Sequence, residues 1–181
     1  MKEKSFFEGA DSESFEAAYA IIEASFPRSE RRSRKGQQAL LEEAAYELLT
    51  LPAPDGGVLA VLGVWHLGDF DYIEHAAVSV EARGGGIGSR IFEEFFKING
   101  GRMVLLEVEP PEETDAKRRI RFYERLGFYL NPYDYCQPSL GEGKPALPLQ
   151  IMTYPEAIDQ GRFEDCRSEL MRTVYHKDRI D

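Results

Sequence analysis

Apolar residues recur at helical spacing between Ser14 and Phe26, where Phe15, Ala18, Tyr19, Ile22 and Phe26 share one face and Pro27 ends the segment. A short first strand is expected at residues 4–8, a helix over Gln37 to Ala45, and a strand over Tyr46 to Leu51. Pro52-Ala-Pro-Asp-Gly-Gly57 is a strong turn. Val58 to His66 and Asp71 to Val80 then read as two strands joined through Gly68-Asp69, an antiparallel hairpin. Ile87, Ile91, Phe92 and Phe95 form the apolar face of a second amphipathic helix, stopped by Asn99-Gly100-Gly101. Met103 to Glu109 predicts a strand closed by Pro110-Pro111. Thr114 or Asp115 is placed to cap a helix carrying Ala116, Ile120, Tyr123 and Leu126, with Gly127 as its stop. Residues 128–135 and 147–154 suit two late strands, and Gly161 to His176 a C-terminal helix.

This order predicts an α/β (α+β mixed) architecture: a central mixed, mostly antiparallel sheet flanked by helices on both faces. At 181 residues a single domain is expected, its core roughly at 4–154 and a helical tail at 156–181.

Composition narrows the function classes. The net charge of −10 argues against binding nucleic acid through a basic surface and fits a cationic acceptor. Cys136 and Cys166 make neither a disulfide framework nor a metal pair at short spacing, so no metal is expected and a reducing cytoplasm fits best. The N-terminal stretch breaks into Gly9-Ala-Asp-Ser before a signal-type apolar run develops. The longest apolar run, Val58 to Trp65, is too short to span a bilayer, so no membrane partner is expected.

The sharpest chemical feature is Arg83-Gly84-Gly85-Gly86-Ile87-Gly88-Ser89, where an extended run turns into a helix. Bare backbone there can approach a ligand, and the first N–H groups of the helix lack intrahelical partners at the positive end of its dipole. That is an anion site suited to a phosphate or pyrophosphate. A dinucleotide fingerprint fits poorly: its third glycine is Ser89, the polar Glu81-Ala82-Arg83 precedes the loop, and the upstream hairpin suits a parallel sheet badly. A Walker loop is excluded because no Gly-Lys-Ser/Thr ends it.

Arg83, Gly86 and Gly88 instead form Arg-x-x-Gly-x-Gly, followed forty residues on by Phe122-Tyr123-Glu124-Arg125-Leu126-Gly127-Phe128. This ordered pair of motifs resembles the GNAT superfamily of acetyl-coenzyme A-dependent N-acetyltransferases. The resemblance implies acetyl-CoA as co-substrate, with its pyrophosphate on the amides of Gly84, Gly85, Gly86, Ile87, Gly88 and Ser89. It implies pantetheine running along Val78, Ser79 and Val80, with Val78 and Val80 as main-chain partners and Arg83 near a phosphate. It further implies that Tyr123 protonates the departing thiolate, by direct attack of a primary amine in a ternary complex. The alternative is a non-catalytic coenzyme A-binding sensor or partner module.

The attacking amine must lose a proton, which for a lysine-like amine at pH 7 costs roughly 4–5 kcal/mol. Glu74 is the favoured base, ahead of Glu107 and then His75. Arg28, Arg31, Arg32, Arg34 and Lys35 form a basic cluster that either is solvated or closes over the coenzyme. Lys117, Arg118, Arg119, Arg121 and Arg125 crowd one helix, and Tyr133 to Leu140 reads as a wall of the acceptor site. The acceptor is a small-molecule or peptide amine, and a homodimer is left open.

Overall fold

In the computed structural model, residues 5–176 are described, so Lys4 of the expected first strand and residues 177–181 of the tail lie outside them. The chain resolves into two compact units, residues 5–66 with 73–101 and residues 67–72 with 102–176.

The first unit opens with a two-residue strand β1 (Glu8–Gly9), then α1 (Phe15–Ser25), α2 (Arg34–Ala39), β2 (Tyr46–Pro52), β3 (Val58–His66), β4 (Phe70–Val78) and α3 (Ile87–Ile98). The first three residues of β4 belong to the second unit. The strand order is β1-β2-β3-β4, and β1–β2 and β2–β3 pair antiparallel. Residues 60–65 of β3 are buried at every position, the mark of a strand covered on both faces, and both α1 and α3 pack against it. Phe15, Ile22, Leu48, Leu62, Trp65, Ile91, Phe92 and Phe95 are the bulk of this core.

Several boundaries differ from the sequence reading. The first strand, expected at residues 4–8, is found at Glu8–Gly9, where it pairs with Thr50 and Leu49 of β2. The second helix starts at Arg34 rather than Gln37, because Ser33 caps it, its Oγ accepting from the Gly36 amide at 3.1 Å. A 3-10 turn (Leu40–Glu42) then replaces its last stretch. β4 stops at Val78, where a 3-10 turn over Val80–Ala82 takes over, the Ala82 amide donating to the Ser79 carbonyl at 3.0 Å. Val80 therefore stands off the strand and is 57 % exposed.

The second unit contains β5 (Met103–Val108), α4 (Thr114–Arg125), β6 (Tyr129–Leu130), β7 (Tyr135–Gln137), β8 (Leu147–Tyr154) and α5 (Gln160–Glu169), which runs on as a π turn (Leu170–Val174). β8 lies between β5 and β6 and also pairs with β7, all antiparallel. Val104, Leu105, Leu106, Ala116, Ile120, Phe128, Ile151, Met152, Phe163 and Leu170 are among its buried apolar residues. Thr114 is the first helical residue of α4 and Glu113 its N-cap, with no side-chain cap bond, so neither expected cap is used.

The strand expected over 128–135 is split in two, and Asn131 is the reason. Its buried amide donates to the Tyr129 and Ile151 carbonyls and to Thr153 Oγ1, while Oδ1 accepts from the Ile158 amide at 2.9 Å. A side chain has taken over the polar partners that a regular ladder would use.

Candidate active site

Within the first unit, the glycine loop delivers α3 as expected. Gly84 and Gly86 adopt φ of +83° and +77°, and Gly86 is the N-cap of α3. Side-chain-bearing residues rarely take that conformation. A Cβ at either position meets nothing within 4 Å, so the demand is conformational and the space in front of the loop is open. No acidic residue occupies the first turn of α3, which leaves the positive end of the dipole unneutralised from within the helix.

A cleft of about 170 Å³ lies at the C-terminal end of β4, lined by Val78, Ser79, Val80, Glu81 and Arg83 and by Ala20, Ile21 and Ala24 of α1. The sequence reading identified the β4 side of this cleft but not the small residues of α1 that give it depth. Arg83 is held at its rim: Nε donates to the Val78 carbonyl at 3.2 Å and a terminal nitrogen to Ser25 Oγ at 3.0 Å. One of the two expected main-chain partners, Val78, thus already has its carbonyl engaged.

Glu74 sits further back on β4, its side chain 2 % exposed and paired to Arg32 at 2.9 Å. Trp65 Nε1 also donates to it at 3.2 Å. Burial pushes the carboxyl up, but the Arg32 charge, His75 and the hydrogen bonds from Arg32 and Trp65 outweigh it, and the group lies below the usual glutamate value. Such a carboxylate is a weak proton acceptor. His75 is 1 % exposed, with Nε2 at 3.1 Å from the Glu30 carbonyl and the Phe26 ring edge-on at 4.7 Å. Burial lowers its pKa, against the opposing pull of Glu74.

The basic cluster is largely committed to the same unit. Arg31 pairs with Glu23 at 3.2 Å and donates to the Phe26 carbonyl, Arg32 holds Glu74, and Arg34 pairs with Glu16.

Within the second unit, Tyr123 lies on α4 with its ring 5.7 Å from that of Phe128 and 5.3 Å from that of Phe122. Burial raises its phenol pKa, with Arg119 opposing. On the same helix Arg118 pairs with Asp115 at 3.3 Å, and Arg119 lies 3.9 Å from Glu109. The segment expected as an acceptor wall has Tyr133 donating to the Ile158 carbonyl at 3.0 Å. Two of its members, Tyr135 and Gln137, bond to Glu107, which is also met by Tyr72 and Tyr175. Sequence reasoning named Glu107 but not this ring around it.

A glycine loop opens α3 in the same unit as the cleft at the end of β4, and these two features make up the candidate site of that unit. A family model described as "Acetyltransferase (GNAT) domain" matches residues 38–130, half of the chain, and the chain belongs to that family. It is 33 % identical over 112 residues to the Bacillus subtilis protein named "Putative acetyltransferase YjbC", a match that covers 61 % of this chain and 55 % of that protein. The chain thus matches little more than half the length of that curated relative. The solved structure of a Bacteroides thetaiotaomicron protein described as "Putative acetyltransferase from GNAT family" superposes with a TM-score of 0.85 at 29 % identity, covering 93 % of this chain and 97 % of that one. The Escherichia coli ribosomal-protein-S18-alanine N-acetyltransferase, at 21 % identity and a TM-score of 0.60 over 84 % and 94 % of the chains, shares the fold. Among the described residues no helix is long and apolar enough to cross a membrane.

Proposed function

We propose that this chain transfers the acetyl group of acetyl-coenzyme A to a primary amine, by direct attack of the amine on the thioester. The observation that carries the reading is the pair of left-handed glycines, Gly84 and Gly86, at the bare N-terminus of α3 beside the cleft at the end of β4. The pyrophosphate is accepted by the backbone amides of residues 84–89, and the pantetheine arm by the backbone from Val78 to Val80. Arg83, anchored at Ser25, adds positive charge at the rim.

The chemistry follows from what these groups do to charge. Holding amine and thioester in register converts a bimolecular attack into one step within a complex. Tyr123, kept protonated by burial, donates to the sulfur as the C–S bond breaks. Glu74 keeps its charge too firmly to serve as the base, and in this reading anchors the Arg32 segment against β4. The net charge of −10 favours an acceptor that arrives as a cation.

The test is calorimetric and kinetic. Acetyl-coenzyme A at about 100 times its Kd should stabilise the protein by about 2.7 kcal/mol. That corresponds to a rise in Tm of roughly 5–10 °C for a chain of this size. A panel of primary amines should then release free coenzyme A thiol. An unchanged Tm at saturating acetyl-coenzyme A refutes the reading.

A further inference from the structure

The peptide that joins Val78 to Ser79 fixes which way the end of β4 faces. Its amide donates to the Leu59 carbonyl of β3 at 2.8 Å. The peptide is trans, and in a trans peptide carbonyl and amide point in opposite directions, so the Val78 carbonyl is turned away from β3. The 3-10 turn over Val80–Ala82 then folds the chain back, the Arg83 amide donating to the Val80 carbonyl at 3.4 Å. That return brings the Arg83 side chain onto the strand end the backbone has just left. Its Nε donates to the Val78 carbonyl at 3.2 Å, and a terminal nitrogen donates to Ser25 Oγ at 3.0 Å. All three residues belong to the first unit.

The guanidinium is held there by neutral partners. Among the described residues no carboxylate pairs with Arg83, which is exposed. The end of α1 favours the position: Ser25 is its last residue, and its last turn carries no basic side chain of its own. A cation is stabilised at that negative helix end and disfavoured at a positive one. The positive end nearest in the chain is that of α3, which starts after Gly86 with no acidic residue in its first turn. A diphosphate on the amides of residues 84–89 would reverse the sign of that neighbourhood. Charge-assisted bonds from a guanidinium to phosphate are also roughly twice as strong as neutral ones. A carbonyl has a second lone pair, yet Arg83 itself lines the cleft beside Val78, so the contact withholds space as well as an acceptor. Guanidinium and pantetheine amide therefore compete for one carbonyl.

Resting on the acetyl-transfer reading above, we infer that Arg83 is a latch over the Val78 carbonyl, and that the coenzyme's diphosphate opens it for the pantetheine arm. The guanidinium leaves Val78 and Ser25 for a phosphate oxygen, and the released carbonyl accepts from a pantetheine amide. The bond to Ser25 belongs to the latched arrangement. Recognition of the two halves of the coenzyme is then coupled, because an arm that arrives without a diphosphate meets a covered carbonyl. By linkage, each half raises the affinity of the other by the same factor. The latch thereby selects acyl carriers that bear a diphosphate over short thioesters that present the arm alone.

The test titrates the full chain, labelled with nitrogen-15, with the two halves separately: ADP for the diphosphate and pantetheine for the arm. With saturating ADP, pantetheine should bind the wild-type protein about fivefold or more tightly than without it, and ADP should gain as much from pantetheine. Arg83→Met keeps the length of the side chain and removes its donors. It should bind pantetheine alone more tightly than the wild type does, bind ADP less tightly, and show no coupling. Ser25→Ala removes the far tether of the latch, so acetyl-coenzyme A should bind that variant about 2–10-fold more tightly, the worth of one hydrogen bond. Halves that bind the wild type independently overturn the inference, as does a coupling that survives in Arg83→Met. Unchanged or weaker binding of acetyl-coenzyme A to Ser25→Ala overturns it too, since the tether would then persist in the complex. Failure of the acetyl-transfer reading shows differently: acetyl-coenzyme A would leave the Tm of the wild-type protein unchanged.

Discussion

The Arg32 guanidinium lies 2.9 Å from the Glu74 carboxylate, with the two side chains only 15 % and 2 % exposed. The pair joins the basic segment after α1 to the middle of β4, and Trp65 completes it at 3.2 Å. Removing one partner strands the other charge, so Arg32→Ala should cost about 3–5 kcal/mol in denaturant unfolding. The sign of the pH dependence follows from the lowered Glu74 pKa. Its contribution is present above the ordinary glutamate value and is lost as pH falls through the lower folded value. Glu74→Gln should therefore flatten the acid side of the stability curve, whereas an unchanged curve would show that the pair contributes nothing there.

Gly63 faces Leu48 across the β2–β3 ladder, and the Tyr46 hydroxyl fills the space its side chain would need. A Cβ there stands 2.6 Å from that oxygen, which is itself bonded to Gln37 Nε2 at 2.7 Å. Gly63→Ala should destabilise by about 1–3 kcal/mol. Adding Tyr46→Phe should recover part of the loss, measured as a coupling energy in a double-mutant cycle. Purely additive effects would show that the clash is absorbed elsewhere.

An acidic residue in the first turn of α3 separates fold from function, because the two respond with opposite sign. Ser89→Asp places a carboxylate near the positive end of the helix dipole and should stabilise the free protein by about 0.3–1 kcal/mol. The same charge competes with a diphosphate for that end, so acetyl-coenzyme A affinity should fall. Tighter binding, or no change, would place the diphosphate elsewhere.

What was legible in the sequence is what neighbours along the chain decide. β3 and β8 match their expected spans, Val58–His66 and Leu147–Tyr154, because apolar runs bounded by Pro and Gly carry their own limits. The glycine loop was legible for the same reason: a left-handed turn at Gly84 and Gly86 is a local demand. The split at Asn131 was not, since it depends on Thr153, Ile151 and Ile158 arriving from far along the chain. Nor were the different surroundings of two carboxylates. Glu74 and Glu107 look alike as letters, yet one meets Arg32 and the other a ring of hydroxyls from residues 72, 135 and 175. Long-range partners, not strand position, pull the Glu74 carboxyl below the ordinary glutamate value and leave burial to push that of Glu107 above it.

The two cysteines should react very differently. Cys166 is 1 % exposed and burial pushes its thiol up to about 11, whereas Cys136 is exposed on β7. Iodoacetamide at pH 8 should alkylate Cys136 alone in the native protein, and Cys166 only after unfolding, read by peptide mass. Direct transfer needs no acyl-cysteine, so Cys136→Ala should keep the thiol-release rate. Loss of turnover in that folded variant would instead require a covalent step.

Tyr123→Phe tests the role proposed for Tyr123 at the leaving group. The substitution removes one oxygen and keeps the ring edge-on to Phe128 at 5.7 Å, so the Tm should stay near that of the parent. Acetyl-coenzyme A affinity, assigned in the proposed reading to the amides of residues 84–89, should also be unchanged. Turnover should fall by about 10²–10⁴-fold, because the thiolate then leaves without a positioned proton. Burial holds the phenol above its ordinary 10.0, so Tyr123 stays protonated across the neutral range and adds no basic limb there to the wild-type profile. A variant that binds acetyl-coenzyme A and keeps the parent rate would remove Tyr123 from the chemistry. A parent protein that binds but never turns over would mark the chain as a coenzyme-binding module.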